Sequence, residues 1–229
     1  MTSTTRPQRA DGEATRARIL EAAGALFASA GFAEATNKMI AARAGVDMAS
    51  INYHFGSRNG LYQAVLIEAH RRIIDRSKIE PLATSELPAR EKLRQFIAFL
   101  AFSISGTDRW PIIVLVREIA SPSSQIAVLR ETEIAPKLRL LLPVLSEITG
   151  IPVGDPALLR CVPCVGAPCL ALLLLDSAHS PFDRSAFELP RAQMVDHIHR
   201  FVIGGLEAVG EDYRREAGEL SGRLQDQPR

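Results

Sequence analysis

From Thr15 the polar and apolar positions fall into a helical rhythm. Ile19, Ala22, Ala23, Leu26, Phe27 and Ala30 recur at i, i+3, i+4, i+7, i+8 and i+11, which draws one apolar stripe along a helix. Gly31 stands where a C′ glycine would stop that helix. A short helix is predicted next, with Thr36 as N-cap, Ile40, Ala41 and Ala44 as its apolar face and Gly45 as its end. A second short helix starts after Asp47, carries Ile51 and breaks at Gly56. Ser57 then caps a longer helix to about Lys78, with Leu61, Val65, Leu66, Ala69 and Ile73 along one side.

Residues 81–88, bounded by Pro81 and Pro88, read as a linker. Beyond them the pattern predicts helices over about 89–105, 109–120, 122–149, 155–178 and 190–209, followed by a polar tail. The breaks are Gly106-Thr107-Asp108, Ser121-Pro122, Gly150-Ile151-Pro152 and Ser180-Pro181. No run alternates in polarity as a half-buried strand would, and no internal repeat is present, so the expected fold class is all-α.

Composition narrows the class. Hydrophobic residues are 47% of the 229 and charged residues 23%, the balance of a globular protein that can bury its own core. Net charge is only +1, but residues 1–78 hold 11 Lys/Arg against 7 Asp/Glu and the remainder holds 16 against 19. The basic front points weakly to nucleic acid. The start of the chain has no apolar run of the signal-peptide kind, and the longest uncharged apolar run, Cys161–Leu175, is shorter than the about 20 residues of a membrane span. A cytoplasmic protein without a membrane partner is expected.

The two short helices joined by a glycine turn, with a helix on either side, form a helix-turn-helix plan. Its second helix would enter the major groove of double-stranded DNA with its first residues toward the bases. Met48, Ala49 and Ser50 stand there, and Asn52 follows one turn on. Tyr53 and His54 offer an O–H and an N–H to phosphates, although Tyr53 could instead pack inward. Ser57 and Arg58 at the next helix start, and Thr36, Asn37 and Lys38 at the first short helix, bring free backbone N–H groups to phosphate as well. Residues 1–12, which include Arg6 and Arg9, are expected to be a flexible arm.

Residues 15–66 resemble the DNA-binding domain of TetR-family transcriptional regulators. The matching residues are Arg18 through Ala23, Phe27, Gly31-Phe32, Thr36, Ile40-Ala41 and Ala44-Gly45-Val46, continuing with Ile51, Tyr53-His54-Phe55, Ser57-Arg58 and Leu61. The chain departs from the family pattern at Asn37, Lys38, Met48 and Asn52, which bears on the operator sequence and on the role of Tyr53. The segment from Val114 through Arg117-Glu118 to Pro122, with Ile134-Ala135-Pro136 and the residues 145–150, resembles a CecR-like subgroup.

The resemblance implies a helix-turn-helix domain over 13–58, a connecting helix over 59–80, a ligand-binding and dimerisation domain over 81–209 and a polar tail over 210–229. It implies a homodimer that binds a DNA operator and answers to a small-molecule effector, most simply as a repressor. A regulator without an effector, or an activator, is the alternative. Phe96, Phe99 and Phe102 share spacing on one helix, Trp110 opens the next, and Arg117 lies in an apolar stretch; together they are candidates for a ligand pocket. They could equally be plain core, with Arg117 paired to an acid. Leu170, Leu174, Ile198, Phe201, Val202 and Gly205 are candidates for the dimer interface, the alternative being burial within one protomer.

Cys161, Cys164 and Cys169 invite a metal or redox reading, but no nearby cation lowers their thiol pKa, and buried inert thiols are expected. Pro163 and Pro168 are expected to kink their helix. No nucleophile elbow, phosphate loop or zinc-protease motif is present, so neither an enzyme, a cofactor nor a metal site is expected.

Overall fold

The computed structural model describes residues 6–104, 108–175 and 189–225, which are helical apart from short connections, with no strand among them. In chain order the elements are α1 (Arg6–Glu34), α2 (Asn37–Ala44), α3 (Met48–Phe55), α4 (Arg58–Ile73), α5 (Arg76–Ala83), α6 (Ala89–Ile104) and α7 (Trp110–Ala120). Then come α8 (Ile126–Leu129), a π-helical turn (Arg130–Ile134), α9 (Ala135–Thr149), α10 (Pro156–Leu175) and α11 (Arg191–Gln225). Residues 1–5 of the expected arm, the break at Gly106-Thr107, residues 176–178, Ser180-Pro181 and residues 226–229 lie outside the described residues.

The chain forms two compact units, Met1–Ile73 with Thr107–Ala135 and Ile74–Gly106 with Pro136–Arg229. This division differs from an unbroken domain over 81–209, because residues 107–135 join the N-terminal helices.

In the first unit α1 and α4 pack on each other and both pack on α7. The sequence makes that contact close at Gly24, where an added Cβ would lie 2.5 Å from the indole of Trp110. The Trp110 ring is buried, and its Nε1 donates to Glu21 at 2.9 Å. Arg72 of α4 stacks over the same ring at 5.0 Å and pairs with Glu21, with Glu68 at 2.9 Å and with Asp108 at 3.0 Å. Tyr62 donates to the buried Glu118 of α7 at 2.8 Å. Glu118 also accepts the backbone N–H and the hydroxyl of Ser123, each at 2.9 Å. In the π-helical turn Glu133 is buried and accepts from Arg71 Nε at 2.8 Å.

In the second unit α6 carries α5, α10 and α11. Leu93, Ile97, Leu145, Ile151 and Leu158 are fully buried at its centre. Five sequence expectations change here and at the N-terminus. The arm is helical from Arg6, the chain around Pro81 is helix, the 122–149 helix carries a π turn, and the polar C-terminus continues α11 to Gln225. The helix from Ser57 ends at Ile73, because Asp75 caps a new helix by accepting from Ser77 N at 2.9 Å. The C-terminal segment is anchored rather than free. Tyr213 donates to Asp155 at 2.8 Å and Arg214 to the Thr149 carbonyl at 3.0 Å, a cation at the C-terminal end of α9. Gly210 permits the approach, since a Cβ there would meet the Thr149 carbonyl oxygen at 2.1 Å.

Gly24→Ala forces the Trp110 ring out of its slot. It is expected to lower the unfolding free energy by about 1–3 kcal/mol, although alanine is the better helix former by about 1 kcal/mol. Urea unfolding reads this as a lower midpoint at constant slope, and an unchanged midpoint would show that α7 does not hold this contact in solution.

Candidate nucleic-acid interface

Two eight-residue helices are marginal alone, and here their ends are fixed by side chains and glycines. Thr36 Oγ1 accepts from Met39 N at 3.2 Å to start α2, and Gly45 ends it at φ 64°, in the left-handed region that glycine tolerates. Asp47 starts α3, accepting from Ser50 N at 2.7 Å and from the Ser50 hydroxyl at 2.9 Å. Those bonds, backbone first, hold the Asp47 carboxyl below its ordinary pKa. Ser57 Oγ accepts from Gly60 N at 3.0 Å and starts α4. Ile40, Ala41, Ala44 and Ile51 turn inward, which fixes the outer faces of both helices.

The candidate contact residues divide on that frame. Thr36, Lys38, Met48, Ala49, Asn52, Tyr53 and Ser57 are exposed, with Met48 at 54% and Tyr53 at 86%. Tyr53 therefore does not pack inward; its ring meets His54 edge-on at 5.0 Å. His54 and Ser50 are half-buried, and the Ser50 hydroxyl proton is committed to Asp47. Asn37 is half-buried, and its Oδ1 is enclosed without a hydrogen bond.

Arg58 turns toward the end of α1. Gly31, at φ 85°, turns the chain so that Phe32 joins Phe27 and Tyr62, at ring separations of 5.7 and 4.5 Å. The Arg58 guanidinium lies 4.7 Å over Phe32, donates to the Phe32 carbonyl and reaches the Ala33 carbonyl at 3.1 Å. Its Nη2 is thus engaged at the end of α1, while its Nε is enclosed without a hydrogen bond. Gly31 thus interrupts α1 as expected, but the carbonyls it releases are met by an arginine 25 and 26 residues away.

Two cations that the sequence did not single out as contact residues lie beside the short helices. Arg16 lies 5.2 Å over the Phe55 ring at the end of α3, and the Arg18 guanidinium reaches to 3.9 Å of where a Cβ on Gly45 would be. Both are exposed. The available signal was a pair of arginines just ahead of the apolar stripe.

The proposed pocket residues are divided between the two units. Phe96 is buried beside a small apolar recess in the second unit, while Phe99 and Phe102 are exposed at 37% and 50%. Arg191 lies 5.4 Å over the Phe102 ring. Trp110 and Arg117 belong to the first unit, Trp110 filled by Gly24 and Glu21, Arg117 exposed and donating to the Ser29 carbonyl at 3.4 Å. Among the interface candidates, Ile198 and Val202 are buried inside the second unit, Leu170 is half-buried, and Phe201 and Gly205 are exposed. The side chain of Leu174 lies outside the described residues. Cys161 and Cys169 are buried, and burial pushes Cys169 up to about 11; Cys164, expected to be buried, is exposed. Both Pro163 and Pro168 lie inside the single helix α10.

A short helix, a three-residue turn and a second helix with an outward polar face define a helix-turn-helix DNA-binding protein. The family model for bacterial regulatory proteins of the tetR family matches residues 19–65. The model for the C-terminal domain of the HTH-type transcriptional dual regulator CecR matches residues 89–206, more than half the chain. The chain belongs to the TetR family of transcriptional regulators and carries a CecR-type C-terminal domain.

No curated protein matches it. Solved structures do. A Clostridium perfringens protein provisionally assigned as a fatty acid metabolism regulator shares 18% identity at a TM-score of 0.65, covering 82% of this chain and 97% of that one. The fatty acid degradation regulator FadR from Bacillus halodurans shares 18% at 0.63, covering 84% and 96%. Mycobacterium smegmatis AmtR shares 19% at 0.56, covering 93% and 96%. At these identities the likeness is one of fold. The protein is a DNA-binding transcription regulator. No helix among the described residues is long and apolar enough to cross a membrane.

Arg58→Ala is expected to act on folding. It leaves two carbonyls at the end of α1 unmet and should cost about 1–3 kcal/mol in urea unfolding. Lys38→Ala and Tyr53→Ala, on exposed positions, should stay within about 0.5 kcal/mol of wild type. Equal midpoints for all three variants would remove Arg58 from its structural role.

Proposed function

We propose that the protein is a homodimeric repressor that holds its operator through α3 and releases it when a small molecule binds the second unit. The outward face of α3 carries the reading. Met48, Ala49, Asn52 and Tyr53 are exposed on a helix whose start is capped and whose inner residue, Ile51, is buried. Lys38 on α2 and Tyr53 supply the phosphate contacts, with further positive charge from Arg16 over the Phe55 ring and Arg18 near Gly45. Two copies are required because half-sites lie about one helical turn, 34–36 Å, apart.

The dimer surface is the outer face of α10 and α11. Leu159, Phe201 and Val209 are exposed there at 52%, 71% and 45%, more apolar surface than helices facing only water usually carry. Gly204 and Gly205 have nothing within 4 Å of an added Cβ, so a partner backbone can come close. The effector site is the recess bordered by Ile79, Leu82, Leu93, Phe96, Leu141 and Val144, whose lining calls for an apolar ligand. Its volume is about 10 Å³, room for no more than about one water, so a ligand enters by parting α5, α6 and α9.

Binding to the DNA upstream of its own gene, titrated with salt, tests the operator reading. Wild type should bind with a steep salt slope, and Lys38→Ala should reduce that slope by about 1 across all sequences. A folded dimer that binds neither this DNA nor any member of a random duplex pool would sink the proposal. Phe201→Glu should shift the protein toward monomer in sedimentation and weaken operator binding with it. A Phe201→Glu protein that remains dimeric would place the interface elsewhere.

A further inference from the structure

Within α3 the hydrogen bonds already made decide which side chains are left to read bases. The Ser50 hydroxyl proton goes to Asp47 at 2.9 Å, and Ile51 is fully buried. Met48, Ala49, Asn52 and Tyr53 remain exposed, and of these Met48 and Asn52 lie four residues and one turn apart, about 6 Å along the axis. That span corresponds to about two steps of 3.4 Å along one DNA strand. Met48 is 54% exposed at the first position of the helix.

A thioether donates no hydrogen bond and accepts only weakly. Against the edges of guanine, cytosine or adenine, Met48 would cover polar groups without satisfying them. The thymine C5-methyl is the one apolar feature of the major groove, and contact with it removes two apolar surfaces from water. Asn52 has the opposite chemistry, since its amide matches N6 and N7 of adenine as a donor and acceptor pair. We propose that Met48 is a specificity-determining residue that selects thymine through its methyl group, with Asn52 selecting adenine within two base steps. This rests on the reading of α3 as the helix that enters the major groove.

The experiment selects duplexes from a random pool with the full-length protein, then replaces each selected thymine in turn by deoxyuridine, which removes only the methyl. Wild type should enrich a thymine at one fixed position in each half-site, and deoxyuridine there should weaken binding about four-fold, the worth of one buried methyl-sized group. Met48→Ala should fold as wild type does, still bind, and lose both the thymine preference and the deoxyuridine penalty. Asn52→Ala should keep the deoxyuridine penalty and lose the adenine preference. Indifference of wild type to deoxyuridine at every thymine overturns the assignment of Met48. So does an unchanged penalty in Met48→Ala, which would hand the methyl contact to Ala49 or Tyr53. If no sequence is enriched at all, the major-groove reading itself falls, and that outcome is distinct from selection of a site that lacks the methyl effect.

Discussion

A carboxylate with 1% exposure organises the DNA-binding unit. Glu118 sits on α7 away from water, a placement whose desolvation must be offset by hydrogen bonds. Tyr62 of α4 supplies one, and the Ser123 amide and hydroxyl supply two more. Burial first, and then the bond to Glu118, push the Tyr62 phenol far above its usual pKa, so its proton stays in place as the donor. Losing any one of these partners leaves a buried group unmet, so α4, α7 and the turn after α7 stay registered together.

From that registration the rest of the unit follows. Tyr62 also meets Phe27 edge-on at 5.1 Å and Phe32 at 4.5 Å, which brings α1 to α4. Arg58 closes the same cluster over Phe32. At the other end of α4, Arg72 joins Glu21 and Trp110. The helix-turn-helix therefore stands on a three-helix base of α1, α4 and α7, and α7 comes from 37 residues beyond the end of α4 in the chain. A lone N-terminal segment ending at Ile73 would lack the partner of Tyr62 and the lid over Gly24.

The sequence was legible where cause and effect are local. Thr36, Asp47 and Ser57 each act on an N–H three residues away, and Gly45 acts on its own φ. Those signals gave the two short helices and their outer faces within a residue. It was illegible where partners are distant. Trp110 looked like a pocket residue because its slot is made by Gly24 and Glu21, more than 80 positions earlier. Arg58 looked like a phosphate ligand because its acceptors come from the turn at Gly31. The residues after 210 looked like a tail, since their polar character hid Tyr213 and Arg214, which hold Asp155 and Thr149 across 58 and 65 positions.

Preorganisation is what this arrangement contributes to recognition. Ordering a flexible side chain or segment on binding subtracts from affinity, and a helix already fixed at its ends avoids most of that loss. In α3 the Asp47 carboxylate carries the start, so its charge matters. Its folded pKa lies below the ordinary value, hence the capping contribution is complete at neutral pH and is lost only in acid, as pH falls through that lowered pKa. Ionised Asp47 also takes the Ser50 hydroxyl proton, which leaves that oxygen only as an acceptor. The same bonds that fix the helix thus hold an exposed thioether and an exposed amide one turn apart, chemistries that the major groove tells apart.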